Sequence, residues 1–140
     1  MADSAAAGWV ETPVRVYYED TDAQGVVYFA GYQRFMERGR TEWLRARNVQ
    51  QDELRAEHEL IFSLVTANVR YHRPARLDQA LVVRTRVSEA RGVRVSFEQE
   101  VRLESAGGEL LASAENVAVS LDAESLKPKR LPAAVKDMLA

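Results

Sequence analysis

Tyr17-Tyr18-Glu19-Asp20-Thr21-Asp22-Ala23-Gln24-Gly25-Val26-Val27-Tyr28 decides the architecture, because an acidic, glycine-containing turn here separates a β-rich run from an amphipathic helix. On its N-terminal side Val14-Arg15-Val16-Tyr17-Tyr18 is β-branched and aromatic, the composition of a strand. On its C-terminal side Phe29, Tyr32, Phe35, Met36, Trp43 and Leu44 recur at helical spacing, which predicts one long helix over residues 29 to about 47. A strand thus feeds a turn that feeds a helix N-terminus. The first backbone N–H groups of such a helix lack intrahelical partners and carry partial positive charge, so they polarise a carbonyl oxygen or hold an anion. Asp22 is expected beside that patch.

No other long helix is written into the chain. Gly39, inside the helix, costs about 1 kcal/mol relative to Ala and implies a close approach of helix to sheet. A short helical or irregular stretch over Gln51–His58 follows, and then residues 61–71, 81–88, 93–104 and 110–121 read as strands. Val93, Val95, Phe97, Val101 and Leu103 alternate with Arg94, Ser96, Glu98, Arg102 and Glu104, the period of a sheet with one wet face. Gly92 and the pair Gly107-Gly108 mark hairpin turns. One helix covers one face of a five-stranded antiparallel sheet if the sheet curls around it. The expectation is therefore an α+β fold in the order β-α-β-β-β-β, with residues 1–12 a flexible tail and residues 13–140 a single domain.

Composition narrows the chemistry. Nineteen Lys and Arg against 21 Asp and Glu give a formal charge of -2, so there is no global basic field for nucleic acid. With no cysteine, disulfides, thiolate metal sites and a Cys nucleophile are excluded, which leaves oxygen groups and histidine. The first residues lack the basic start and apolar core of a signal peptide, and no run approaches the roughly 20 apolar residues of a membrane span. A cytoplasmic location follows as the expectation, with peripheral contact at the inner membrane left open. His58 and His72, the only histidines, have no metal-ligand spacing with a partner, so neither a metal nor an organic cofactor is expected. His72 reads as structural and His58 as solvated.

The acidic turn also carries a rival pattern. Asp20, Asp22, Gln24 and Gly25 fit the first, third, fifth and sixth places of an EF-hand loop, but the twelfth, which needs a bidentate Glu, holds Gly31. From spacing alone, Asp20 and Asp22 are turn residues that accept backbone hydrogen bonds.

Tyr18 to Tyr28, followed by Phe35-Met36-Glu37-Arg38-Gly39-Arg40-Thr41-Glu42-Trp43-Leu44-Arg45, resembles the signature of the hotdog-fold acyl-CoA thioesterases. The branch it is most similar to is the one associated with the bacterial Tol-Pal system, itself like the 4-hydroxybenzoyl-CoA thioesterases. Tyr71-His72-Arg73-Pro74-Ala75-Arg76-Leu77-Asp78 and Lys127-Pro128-Lys129-Arg130-Leu131-Pro132 fit the same pattern, so the resemblance spans nearly the whole chain. It implies a curved sheet wrapped around one helix, pairing of two such sheets into a homodimer or homotetramer, and active sites at the subunit boundary.

The resemblance further implies that Asp22, in the T-D-x-x-G turn, acts on a thioester as general base or nucleophile, and that the backbone N–H at Phe29 polarises the carbonyl. Gly25 and Tyr28 would contact substrate. Phe29 departs from the histidine or tyrosine of related enzymes, which removes a polar side chain but not the backbone donor, and Gly31 replaces an Asn or Ser. Ser63 and Thr66, on the second strand, are candidates to orient water opposite Asp22. For the phosphates of coenzyme A the candidates are Arg91 and Arg94 around one turn and Lys127, Lys129 and Arg130 after the last strand. The acyl group arrives on coenzyme A or on an acyl carrier protein. The alternative is a non-catalytic module that binds acyl-CoA or acyl carrier protein and scaffolds envelope or lipid-synthesis partners; the absence of a polar side chain at Phe29 favours it.

Overall fold

The computed structural model describes residues 8–140. Strand β1 (Val10–Arg15) leads through a short 3-10 turn (Tyr18–Asp20) into helix α1 (Phe29–Ala46), followed by α2 (Gln51–His58). Four long strands come next, β2 (Leu60–Tyr71), β3 (Ala80–Arg91), β4 (Arg94–Leu103) and β5 (Leu110–Asp122), and helix α3 (Ala133–Leu139) closes the chain. All strand pairs are antiparallel in the spatial order β1-β3-β4-β5-β2.

Helix α1 buries Gly31, Tyr32, Phe35, Met36, Gly39, Trp43 and Leu44, a stripe set by the 3.6-residue period. The concave face of the sheet receives it in two apolar clusters. Tyr32, Phe35 and Met36 meet Val14, Leu81, Val83 and Val101 at one end, while Trp43 and Leu44 meet Leu60, Val95 and Phe97 at the other. Between them lies a polar bridge in which Thr85, Gln99 and Asn116 are fully buried. Gln99 donates to the Met36 carbonyl oxygen (2.8 Å) and to the Thr85 hydroxyl (2.9 Å), and its own carbonyl accepts from Arg40 (3.0 Å) and Asn116 (2.8 Å). All four hydrogen-bonding positions of that amide are used. The arrangement is the hotdog fold that the sequence implies.

Several elements differ from the sequence reading, among them β3, which runs on to Arg91 where the reading ends it at residue 88. Strand β1 starts at Val10, so residues 10–12 pair with β3 and are not tail; residues 1–7 of the expected tail lie outside the described residues. Tyr17 and Tyr18 leave the strand because the Asp20 carboxylate, not a neighbouring strand, accepts the Tyr17 N–H at 2.8 Å. Helix α3 was not expected, and it packs Val135 and Leu139 into the cluster around Trp43.

Gly39 has a testable role. A Cβ built there would lie 2.6 Å from the Thr85 hydroxyl and 2.7 Å from Val83 Cγ1, both on short β-branched side chains of a buried strand. Gly39→Ala gains helix propensity but forces the helix off the sheet, and overpacking of this kind costs about 1–3 kcal/mol. Urea denaturation should show net destabilisation, whereas Gly107→Ala, where a Cβ meets nothing within 4 Å, should be nearly neutral. A stabilised Gly39→Ala would refute the close contact.

Candidate functional site

The acidic turn is built by its own hydrogen bonds. Asp22 N–H donates to the Val26 carbonyl oxygen (2.9 Å), Gly25 N–H to the Asp22 carbonyl oxygen (3.0 Å), and Gly25 holds φ at 78°, a left-handed conformation that favours glycine. Oδ1 of Asp22 accepts from Gln24 N–H (2.8 Å) and more weakly from Val26 N–H (3.4 Å). Its other oxygen has no hydrogen-bond partner among the described residues. The turn is strapped to the chain after β2 by Val27 N–H to the Ala75 carbonyl oxygen (2.9 Å) and Leu77 N–H to that of Gly25 (3.1 Å).

Tyr28 is the N-cap of α1, and its side chain makes no capping bond. Phe29 and Ala30 therefore present helix-start N–H groups with no acceptor from within the helix. The carboxylate and this terminus open onto one cavity of about 440 Å³, which also takes in Val26, Val27, Tyr71, His72 and Arg73. Its apolar wall is aromatic. The Phe29 ring, 71% exposed, lies 4.7 Å from Tyr71, and Tyr71 meets Tyr32 edge-on at 5.3 Å. Burial pushes the Tyr32 phenol's pKa up, so the hydroxyl stays protonated; it accepts from Ala75 N–H at 3.0 Å and holds the segment after β2 against the helix. The cleft along the outer face of α1 also reaches a helix start, that of α2 at Gln51 and Asp52, but it is lined by charged and polar side chains such as Glu37, Arg38, Glu42 and Arg45 and has no aromatic wall. Among the described residues no three His, Asp or Glu side chains converge as metal ligands.

Of the sequence candidates, Asp22, Gly25, Tyr28 and Phe29 come together. The others do not. Ser63 pairs with Val119 and Thr66 with Val117, well along β2 from Tyr71. Arg91 and Arg94 flank the β3–β4 hairpin, and Lys127, Lys129 and Arg130 run beside it, with Leu131 N–H on the Gly92 carbonyl oxygen (3.0 Å) and Lys129 Nζ on the His58 carbonyl oxygen (2.7 Å). The two basic clusters, alternatives in the sequence reading, form one basic end. That end lies a full strand length, roughly 30 Å, from the Asp22 end, so within one chain none of the five reaches Asp22. His72 is not merely structural: it lines the cavity, with Nε2 2.9 Å from the Ser113 hydroxyl. Tyr71 and Arg73 at the cavity were not among the candidate site residues, although both lie in the Tyr71 to Asp78 segment that carries the resemblance.

Comparison with known proteins agrees with this fold. Residues 16–139 match the family model of the thioesterase-like superfamily. The chain is 45% identical over 123 residues to the acyl-CoA thioester hydrolase YbgC of Escherichia coli, an alignment that covers 88% of this chain and 90% of that protein. A probable thioesterase from Bartonella henselae superposes with a TM-score of 0.81 at 35% identity, covering 89% of this chain and 99% of that one. A mutant 4-hydroxybenzoyl CoA thioesterase complexed with 4-hydroxybenzoyl CoA shares the fold, with a TM-score of 0.86 at 19% identity over 95% of this chain and 99% of its own. The family model, matched over nearly the whole chain, and a relative 45% identical over most of both sequences make the chain a member of the thioesterase-like superfamily.

Proposed function

We propose that the protein hydrolyses acyl-CoA thioesters to coenzyme A and a free carboxylic acid, with Asp22 as general base or nucleophile and the Phe29 N–H as oxyanion donor. The observation that carries this reading is the meeting, in one partly aromatic cavity, of a carboxylate with an unbonded oxygen and an uncapped helix start. As nucleophile, Asp22 attacks the thioester carbon, the C–S bond breaks, coenzyme A leaves as thiolate, and water hydrolyses the mixed anhydride. As base, it takes a proton from water while the oxygen attacks the same carbon, and the proton then goes to the departing sulfur. In both routes negative charge develops on the carbonyl oxygen, where a fixed N–H dipole stabilises it most.

The site needs a second copy. Among the described residues the outer edge of β2 has no partner strand, and it exposes Leu64 and Val65. Two chains paired antiparallel along β2 about a two-fold axis set the Leu60 end of one against the Tyr71 end of the other. The basic end of the second copy, with Arg91, Arg94, Lys127, Lys129 and Arg130, then approaches the first copy's cavity and can meet the phosphates of coenzyme A, and its Ser63 moves toward the same boundary. An acyl carrier protein presents the same pantetheine thioester and belongs in the substrate panel. The reading places the enzyme where acyl-CoA is made and consumed, in the cytoplasm.

Three outcomes test this account. Asp22→Asn should keep fold and assembly but lower kcat by at least about a hundredfold, the loss expected for an essential base or nucleophile. Near-normal steady-state turnover would remove Asp22 from the mechanism. Phe29→Ala keeps the backbone donor, so short acyl-CoAs should still turn over while preference among acyl groups shifts by roughly 1–3 kcal/mol. A uniform collapse on all substrates would mean that the ring itself takes part. Light scattering at micromolar concentration should give a dimer or tetramer, and a lone 15.8 kDa species would contradict the shared site.

A further inference from the structure

Two carboxylates two residues apart meet opposite fates. Asp22 is exposed to the cavity, whereas Asp20 is 3% exposed and turned away from it. Oδ2 of Asp20 accepts the Tyr17 N–H at 2.8 Å, and Oδ1 accepts Nη2 of Arg34 at 2.8 Å. Nη1 of Arg34 donates to the Tyr28 hydroxyl at 3.1 Å, the guanidinium lies 5.6 Å from the Tyr28 ring centre, and that hydroxyl donates to the Glu19 carbonyl oxygen at 3.3 Å. The network ties together three places: the chain entering the acidic turn, the residue immediately before Phe29, and the second turn of α1. Gly31 lets the turn settle there, since a Cβ would stand 2.7 Å from Val27 Cγ1 and 3.4 Å from the Asp20 carbonyl oxygen.

We infer that Asp20 is a positioning residue for thioester hydrolysis, acting through Arg34 and Tyr28 to fix the distance and angle between the Asp22 carboxylate and the Phe29 N–H. The inference rests on the roles proposed above for those two groups. Helix α1 is already held by Phe35, Met36, Trp43 and Leu44, each at most 2% exposed, so its place on the sheet does not depend on Asp20. What Asp20 adds is local: it sets where the turn sits on that helix. A misplacement of about 1 Å in such a pair costs up to a hundredfold in rate, and a charge-assisted pair held on both oxygens suppresses it.

The test is steady-state kinetics, circular dichroism and light scattering on Asp20→Asn, Arg34→Gln, their double variant and Asp22→Asn. Arg45→Gln, which breaks the exposed Arg45–Glu42 pair on the same helix, is the control. Asp20→Asn should fold and assemble normally with KM within about threefold of wild type, and kcat should fall by about tenfold to a hundredfold. Arg34→Gln should behave alike, the double variant should be no worse than the weaker single, because the pair acts as one unit, and the control should stay within about twofold. Wild-type kcat in folded Asp20→Asn, or losses that multiply in the double variant, would overturn the inference. If Asp20→Asn does not fold, Arg34→Gln decides in the same way, with wild-type kcat again fatal. Full activity in Asp20→Asn alongside an inactive Asp22→Asn would defeat the positioning role alone. Full activity in Asp22→Asn would defeat the mechanism on which it rests.

Discussion

The contact on which the rest depends is the seating of α1 on the concave face of the sheet. At Gly39 the helix touches Val83 and Thr85, and beside it the Gln99 amide reaches the Met36 carbonyl oxygen. The two apolar clusters on either side supply most of the burial and hold the helix on the sheet without directional bonds. The polar bridge is directional. A buried amide that uses all of its donors and acceptors has one geometry, and a shift of the helix by a single residue would strand several polar groups. Gln99 stands where the alternation of β4 calls for an apolar residue, which fits a position chosen for register and not for burial alone.

Fixing the helix fixes its first residue. The N–H of Phe29 then points from a set place, and the turn before it has only to bring a carboxylate alongside. The chain does so with two aspartates of different environment, one buried and paired, the other with an oxygen left open to the cavity. The same division answers the calcium-loop pattern: Asp20 is already committed to Arg34 and Tyr17, so it does not share a centre with Asp22. The cavity wall of Phe29, Tyr71 and Tyr32 is largely apolar and aromatic, which suits the acyl group in the proposed mechanism.

Much of this was legible in the residues. The stripe from Phe29 to Leu44 gave the helix to within one residue of its end, the alternation in β4 gave the sheet, and Gly25 with its flanking aspartates marked the turn. What was hidden depends on register and on contacts distant in sequence. Tyr17-Tyr18 has strand composition, yet after Val16, whose N–H still reaches the Gln79 carbonyl oxygen, Asp20 captures the Tyr17 N–H, an event invisible to periodicity. Helix α3 has seven residues and two buried positions, too short a pattern to recognise. The basic residues Arg91 and Lys127–Arg130 were visible as charges, but which end of a sheet a hairpin occupies follows from strand pairing. Tyr71 and His72 reach the cavity for the same reason.

The central claim is that the thioester carbonyl sits between the Asp22 carboxylate and the Phe29 N–H. A crystal structure with a ketone analogue of an acyl-CoA, a methylene in place of the sulfur, tests it most directly. The account predicts the carbonyl oxygen about 2.7–3.1 Å from the Phe29 nitrogen, an Asp22 oxygen facing the carbonyl carbon directly or through one water, and the nucleotide on the basic end of a second chain. An analogue bound with its carbonyl away from the start of α1, or held wholly within one chain, would contradict it.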